Sequence, residues 1–345
     1  MTNPFQNGLK HLIDGETLTR ESARFMMDQI MKGHATPNQI SSFLTVLRFR
    51  GETADELTGF TESLRHHADR LDVRDVDVLD TCGTGGDGAS TFNISTAVAI
   101  LISGMGVKVA KHGNRAVSSK SGSADVIEAL GLSIPHDKGE ALSQLEHLGM
   151  CFLYAPHYHA SMKHAAIPRK DLGFRTIFNL LGPLANPAGS HFQLLGVYNE
   201  SSAKKMAEAL KQLGTEKALL VTGDGGLDEV SITGPTRFFE VSEGKVTSFT
   251  IEPEDVGLER GRLSDLQVAN VNESAVLIEK IFSGKANHSA TDIVCLNAGC
   301  ALYVVGKAKD IGAGVDMAKQ ALSSGVGMEQ LLRLRSVRNE GLRRA

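Results

Sequence analysis

The stretch Gly83-Thr84-Gly85-Gly86-Asp87-Gly88 constrains the fold more than any other segment of this chain. An apolar run, Val76 to Leu79, precedes it and reads as a short strand. Phe92 to Leu101 follows it and reads as the start of a helix. A glycine-rich turn that feeds a helix N-terminus brings backbone N–H groups and the positive end of a helix dipole to one point, which is a place to hold an anion. Two familiar anions are excluded. Gly83, Gly85 and Gly88 satisfy G-x-G-x-x-G, yet no Asp or Glu occurs between Asp87 and Asp125 to take a ribose hydroxyl, so a dinucleotide is not the ligand. Gly83 and Gly88 have the Walker A separation, but Ala89 stands where the lysine is required.

A second polar loop lies one βα unit later. After the apolar run Val107 to Ala110 the chain reads Lys111-His112-Gly113-Asn114-Arg115-Ala116-Val117-Ser118-Ser119-Lys120-Ser121-Gly122-Ser123-Ala124-Asp125, then enters an apolar helix from Val126 to Leu130. Ser123 suits an N-cap or first-turn position. The C-terminal ends of successive parallel strands open onto one crevice. Two such loops therefore face one highly charged ligand, and a polyphosphate is the favoured reading over a solvated surface patch.

The rest of the chain supplies the frame. Residues 1–72 read as helices only. Thr36-Pro37 is an N-cap with proline in the first turn, and Thr53-Ala54-Asp55-Glu56 is a capping box opening a helix toward Leu71. From Val76 onward short apolar runs alternate with helices: Asp77 to Leu79, Val107 to Ala110, Cys151 to Tyr154, Phe192 to Tyr198, and Ala218 to Val221. That alternation predicts an α/β fold with a mostly parallel sheet flanked by helices. Arg237 to Thr250, interrupted by Ser242-Glu243-Gly244, predicts a hairpin, and residues from about Val271 read as helical. At 345 residues the chain suits one large domain, 73–345, beside a small helical one, 1–72.

Composition excludes more than it selects. A net charge of −4 gives no electrostatic reason to expect nucleic acid. The richest apolar run, Ala97 to Met105, is too short to span a bilayer. The N-terminus shows no signal-peptide pattern, and the four cysteines (Cys82, Cys151, Cys295, Cys300) form no C-x-x-C, so a cytoplasmic protein with buried thiols and no zinc is expected. Tryptophan is absent.

Taken together, Asp80-Thr81-Cys82-Gly83-Thr84-Gly85-Gly86-Asp87, Thr91-Phe92-Asn93-Ile94-Ser95-Thr96 and Lys111 through Ser123 resemble the anthranilate phosphoribosyltransferase family. Arg169-Lys170-Asp171-Leu172-Gly173, Arg175 through Leu184, and Leu227-Asp228-Glu229 match the same family in order, so the resemblance covers nearly the whole chain. It implies transfer of phosphoribosyl from 5-phosphoribosyl 1-diphosphate to the amine of anthranilate, in tryptophan synthesis, by a homodimer that uses two magnesium ions. It also implies that helices from about 160–185 join the N-terminal helical domain in space.

The resemblance further implies the site. The donor falls to Gly83, Gly86, Asp87, Thr91, Asn93, Ile94, Ser95, Thr96, Lys111, His112, Gly113, Asn114, Arg115, Ala116, Val117, Ser118, Ser119 and Ser123. Anthranilate falls to Gly83, Asn114, Arg169, His112 and His159, and magnesium to Ser95, Asp228 and Glu229. Lys111, Asp87 and Asn114 are the expected catalytic residues. Lys111 suits phosphate as a compact charge, and Arg169 suits a planar carboxylate by bidentate pairing. Of His157, His159 and His164, His159 is the expected amine contact. Two departures touch the acceptor side: Ile167-Pro168 places the proline one residue late, and Asp171 stands where glutamate is commoner. A pyrimidine nucleoside phosphorylase, or a non-catalytic nucleic-acid-binding paralogue of the same fold, are the alternatives. The first lacks its lysine–serine–glycine phosphate loop here, and the second should have lost Asp228 and Glu229.

Overall fold

The computed structural model describes residues 4–73, 76–115 and 122–344, with the backbone alone over 337–344. Four helices open the chain: α1 (Pro4–Ile13), α2 (Arg20–Met31), α3 (Pro37–Arg50) and α4 (Ala54–His67). Their starts follow from local chemistry. Thr36 accepts from the Gln39 N–H while the Gln39 side chain returns to the Thr36 N–H, and Thr53 with Glu56 repeats this box. Glu56 is fully buried because Arg50 pairs with it at 2.6 Å and the Leu18 N–H donates to it at 2.8 Å. The helix expected to run toward Leu71 ends at His67, within a few residues of the expectation.

Next come β1 (Leu79–Gly83), α5 (Ile94–Gly104), β2 (Val109–Gly113), α6 (Ser123–Ala129), α7 (Lys138–Leu148) and β3 (Met150–Tyr154). The chain then leaves the sheet through α8 (Ala155–Tyr158), a 3₁₀ turn at Ala160–Met162, α9 (Lys163–Leu172) and α10 (Phe178–Leu184). It returns as β4 (Phe192–Gly196), α11 (Glu200–Gln212), β5 (Lys217–Thr222), β6 (Thr236–Ser242) and β7 (Lys245–Ile251). It finishes with α12 (Val271–Phe282), α13 (His288–Val304), α14 (Ile311–Ser323) and α15 (Val326–Arg344).

One seven-stranded sheet has the order β3-β2-β1-β4-β5-β6-β7. Strands β1 to β5 run parallel, and β6 and β7 are antiparallel additions at one edge. The expected hairpin forms at Glu243-Gly244, both at positive φ. Strand alternation sorts the core into two layers. Leu194, Leu219 and Val221 face the cluster that holds α5 and α13, whereas Leu195, Ala218 and Leu220 face α11 and the helical domain. Helix α13 is apolar round its whole circumference because α5, α14 and the sheet enclose it. Helices α9 and α10 pack on α2, α3 and α4.

The bounds of β1 differ from expectation, whereas Ser123 takes the first-turn position expected of it. Strand β1 occupies Leu79–Gly83 and not Val76–Leu79, so it carries Asp80 and Thr81 into the core. The polar side chains are tolerated because each is bonded: Thr81 Oγ1 donates to the Ser95 carbonyl at 3.1 Å, and Asp80 accepts from the His112 N–H at 3.1 Å. Ser123 is the first residue of α6, with Gly122 preceding it as the cap.

Candidate active site

The turn after β1 is glycine-rich because its backbone demands it. Gly85, Gly86 and Gly88 have φ of 72°, 81° and 76°. Gly83 is needed for another reason: the Asp228 carboxylate fills the space a Cβ would take. The turn delivers the chain to α5, where Asn93 caps the helix by accepting from the Thr96 N–H at 3.0 Å. Thr91, Asn93 and Ser95 are half-buried at this mouth. Ile94 instead turns its side chain into the core, and its N–H donates to the Phe92 carbonyl.

Asp228 and Glu229 arrive from the end of β5. The backbone beside them is pinned by Asn297 of α13, which accepts from the Val230 N–H at 3.0 Å and donates to the Val230 carbonyl at 2.9 Å. Asp228 Oδ2 then accepts from the Gly85 N–H at 2.7 Å, and Glu229 Oε1 from the Ser95 N–H at 3.2 Å. Burial, then the nearby Asp87 carboxylate, pushes Asp228 up to about 7. Burial, then Asp228, pushes Glu229 up to about 8. Among the described residues, no three His, Cys, Asp or Glu side chains close round a metal ion. Two crowded carboxylates and a serine hydroxyl are nonetheless a hard-oxygen donor set short of positive charge. That fits magnesium, which keeps waters and takes substrate phosphate oxygens for its remaining positions.

Lys111 lies on β2 beneath this pair and is 1% exposed. Its Nζ donates to the Thr81 carbonyl and to Ser95 Oγ at 3.0 Å. Burial lowers its pKa, opposed by Cys82, Asp80 and Glu229. Asp80 is the carboxylate under the site: burial pushes it up to about 6, against Lys111 and a hydrogen bond from Asn186. Asn186 also donates to the Ala110 carbonyl at 2.8 Å, tying the chain just before β4 to β2.

His112 and His159 meet with ring centroids 5.2 Å apart. His112 donates to the Gly182 carbonyl and His159 to the Ala185 carbonyl, and each Nε2 is buried with no partner among the described residues. Burial, then His159, holds His112 down to about 3, and burial lowers His159. Both rings are therefore neutral at pH 7 with an acceptor nitrogen to offer. His157 is exposed against Tyr154, and His164 packs at Gly33. Arg169 on α9 rests its guanidinium 5.0 Å from the Phe178 ring centroid. It has no hydrogen bond or ion pair among the described residues, and burial lowers its pKa.

The second loop is placed in part. Asn114 is exposed and accepts from the Arg115 N–H at 2.8 Å. Arg115 turns to Asp125 at 2.9 Å and Glu128 at 2.7 Å. Ser123 Oγ closes on the Asn114 carbonyl at 3.4 Å and lies, with Phe152, where a Gly113 Cβ would stand. Ala116, Val117, Ser118 and Ser119 lie outside the described residues. The structure adds Asp80, Asn186 and Asn297, which sequence reasoning missed. A carboxylate inside an apolar strand, and an asparagine inside the apolar run Ile293 to Cys300, were the available signals.

Two family models match: the helical bundle domain of a glycosyl transferase family over residues 6–68, and the α/β domain of that family over 75–328. An anthranilate phosphoribosyltransferase of Halalkalibacterium halodurans is 54% identical over 97% of this chain and 98% of its own. One from Geobacillus kaustophilus is 55% identical over 95% and 96%. A crystal structure of the Thermus thermophilus enzyme superposes with a TM-score of 0.90 at 39% identity, covering 96% of this chain and 99% of that one. The Saccharomyces cerevisiae enzyme, solved with its phosphoribosyl diphosphate and magnesium, gives 0.89 at 29% identity, covering 97% and 98%. With both domains matched in order and more than half of the residues shared with its relatives, the chain belongs to the anthranilate phosphoribosyltransferase family.

Proposed function

We propose that this chain transfers the phosphoribosyl group of 5-phosphoribosyl 1-diphosphate to the amine of anthranilate, yielding N-(5-phosphoribosyl)anthranilate and diphosphate, a step of tryptophan synthesis. The observation that carries the reading is identity of 54% to enzymes of that name across nearly the full length of both chains. The geometry supports it: an anion loop follows β1, and Arg169 on α9 is a half-buried guanidinium with no hydrogen bond or ion pair among the described residues.

The C1–O bond breaks with its electron pair leaving on diphosphate, the C1–N bond forms, and the nitrogen loses a proton. Positive charge grows on the ribose ring meanwhile. The N–H groups of the glycine loop and the α5 N-terminus hold the diphosphate, with Gly86, Asp87, Asn93, Ser95 and Thr96 around it. Lys111 supplies a fixed positive charge below. Ser95, Asp228 and Glu229 would hold two magnesium ions, which neutralise the leaving group's charge when bound. Arg169 grips the anthranilate carboxylate, and the free Nε2 atoms of His112 and His159 accept from its amine. No strong base is needed, because an aromatic amine is already neutral at pH 7, so rate comes from positioning and preorganised charge.

The domains divide at residues 72 and 73. A homodimer joined at the helical domain is our reading, and Phe49, an exposed apolar side chain there, is where it can be probed. No described helix is long and apolar enough to cross a membrane, which accords with a cytoplasmic enzyme. The test is loss of anthranilate fluorescence on mixing purified protein, anthranilate, phosphoribosyl diphosphate and magnesium. No turnover by a folded sample, with phosphorolysis of a pyrimidine nucleoside instead, would overturn the reading.

A further inference from the structure

We propose that Arg175 is a further phosphate-binding residue of the donor site, a guanidinium carried from the helical side of the cleft onto the glycine loop. The inference deepens the function above and rests on it for the identity of the donor. Arg175 lies in the short link between α9 and α10. Gly173 turns the chain there at a φ of 66°, and Thr176 and Asn179 lock the turn. The Thr176 N–H donates to Asn179 Oδ1 at 3.1 Å, and the Asn179 N–H to the Thr176 carbonyl at 3.0 Å. From this fixed base the side chain crosses to the α/β domain. Its guanidinium sits 5.0 Å from the ring centroid of Tyr198, just past β4, and occupies the space a Cβ on Gly86 would need.

Among the described residues, the other cations on the β2 side of the donor loops are already engaged. Lys111 is spent on Thr81 and Ser95, and Arg115 on Asp125 and Glu128. Arg175 makes no hydrogen bond and no ion pair among the described residues, although it is half-buried against the loop most suited to phosphate. The cation–π contact with Tyr198 holds the guanidinium beside the loop while its N–H donors make no hydrogen bond among the described residues, and such a fork suits a phosphate oxygen pair. Among the described residues, Arg169 on Phe178 and Arg175 on Tyr198 have no hydrogen-bonding or ionic partner, one guanidinium for each anionic substrate. Contact with Gly86 assigns Arg175 to the diphosphate.

The probe is inorganic diphosphate with magnesium, titrated calorimetrically into the parent, Arg175→Gln and Arg175→Lys, alongside steady-state kinetics with each substrate varied in turn. Loss of one charge-assisted hydrogen-bonding group is worth about tenfold or more. Arg175→Gln should therefore weaken diphosphate and raise the donor KM by about that factor. The anthranilate KM should stay within about twofold, and Arg175→Lys should recover only part of the loss. The salt dependence of diphosphate binding should also become shallower, which a purely structural role would not produce. Should Arg175→Gln fail to fold, Arg175→Lys and Tyr198→Leu carry the same comparison. Unchanged diphosphate affinity in a folded variant overturns the proposal. So does a loss confined to anthranilate, or a loss of thermal stability with both KM values intact. If the parent binds diphosphate through Arg175 but does not consume anthranilate, the reaction assigned above fails while the Arg175 site stands.

Discussion

His112 gives a pH prediction with a definite sign. Its folded pKa of about 3 lies below its ordinary value of 6.5, because the ring is buried beside His159. A group whose folded pKa is depressed contributes stability above the unfolded pKa and loses it as pH falls toward the folded one. The window thus runs from 6.5 down to about 3. A shift of that size corresponds to about 5 kcal/mol over the whole window, of which about 2 kcal/mol is lost between pH 7 and pH 5. His112→Gln keeps an amide for the Gly182 carbonyl and cannot titrate. Urea unfolding followed by circular dichroism at pH 7, 6 and 5 measures the difference. The parent should lose about 2 kcal/mol more than the variant across that range, with His159 steepening the acid limb of both. Parallel stability profiles for parent and His112→Gln would refute a buried neutral imidazole at this position.

Replacing Asp228 and Glu229 together by alanine should abolish turnover at ordinary magnesium while circular dichroism stays unchanged; activity that survives the double change or chelation removes them from the metal site. Arg169→Lys should raise the anthranilate KM almost as much as Arg169→Ala, because lysine cannot reproduce a planar fork; parent-like anthranilate kinetics for Arg169→Lys would discard the clamp. Gly196→Ala should destabilise the fold by about 1–3 kcal/mol or more, since its Cβ would strike the Asp228 carbonyl, and thermal unfolding decides it. Phe49→Glu should shift the protein toward monomer in sedimentation, since Phe49 is 95% exposed on the face assigned to the dimer; an unchanged sedimentation coefficient would place the interface elsewhere.

Much of this was legible in the sequence because local chemistry dictated it. The capping boxes at Thr36 and Thr53, the glycine loop and the hairpin at Glu243-Gly244 each depend on residues adjacent in the chain. The start of β1 was not legible. Val76 to Leu79 is the apolar run, but sheet pairing with β4 selects Leu79 to Gly83, and hydrogen bonds from β2 and to the start of α5 make Asp80 and Thr81 acceptable inside. Asn297 and Asn186 were invisible for a related reason. Each serves a backbone group that is remote in sequence, Val230 for one and Ala110 for the other. The pairing of His112 with His159 likewise needs β3 beside β2 before the two rings can meet.

The chain's excursion between β3 and β4 has a consequence for how such a fold diversifies. His159, Arg169 and Arg175 all lie on the segment from Ala155 to His191, which leaves the sheet at one strand and rejoins it three places along the strand order, beside β1. The glycine loop, the α5 start and the Asp228-Glu229 turn are built by other crossovers. On the proposed assignment this one segment carries two acceptor residues, His159 and Arg169, and one donor residue, Arg175, and it is braced on the helical domain by α9 and α10. Exchanging that segment for another of compatible ends would change what receives the sugar only if the replacement also kept a guanidinium over Gly86, because Arg175 leaves with it.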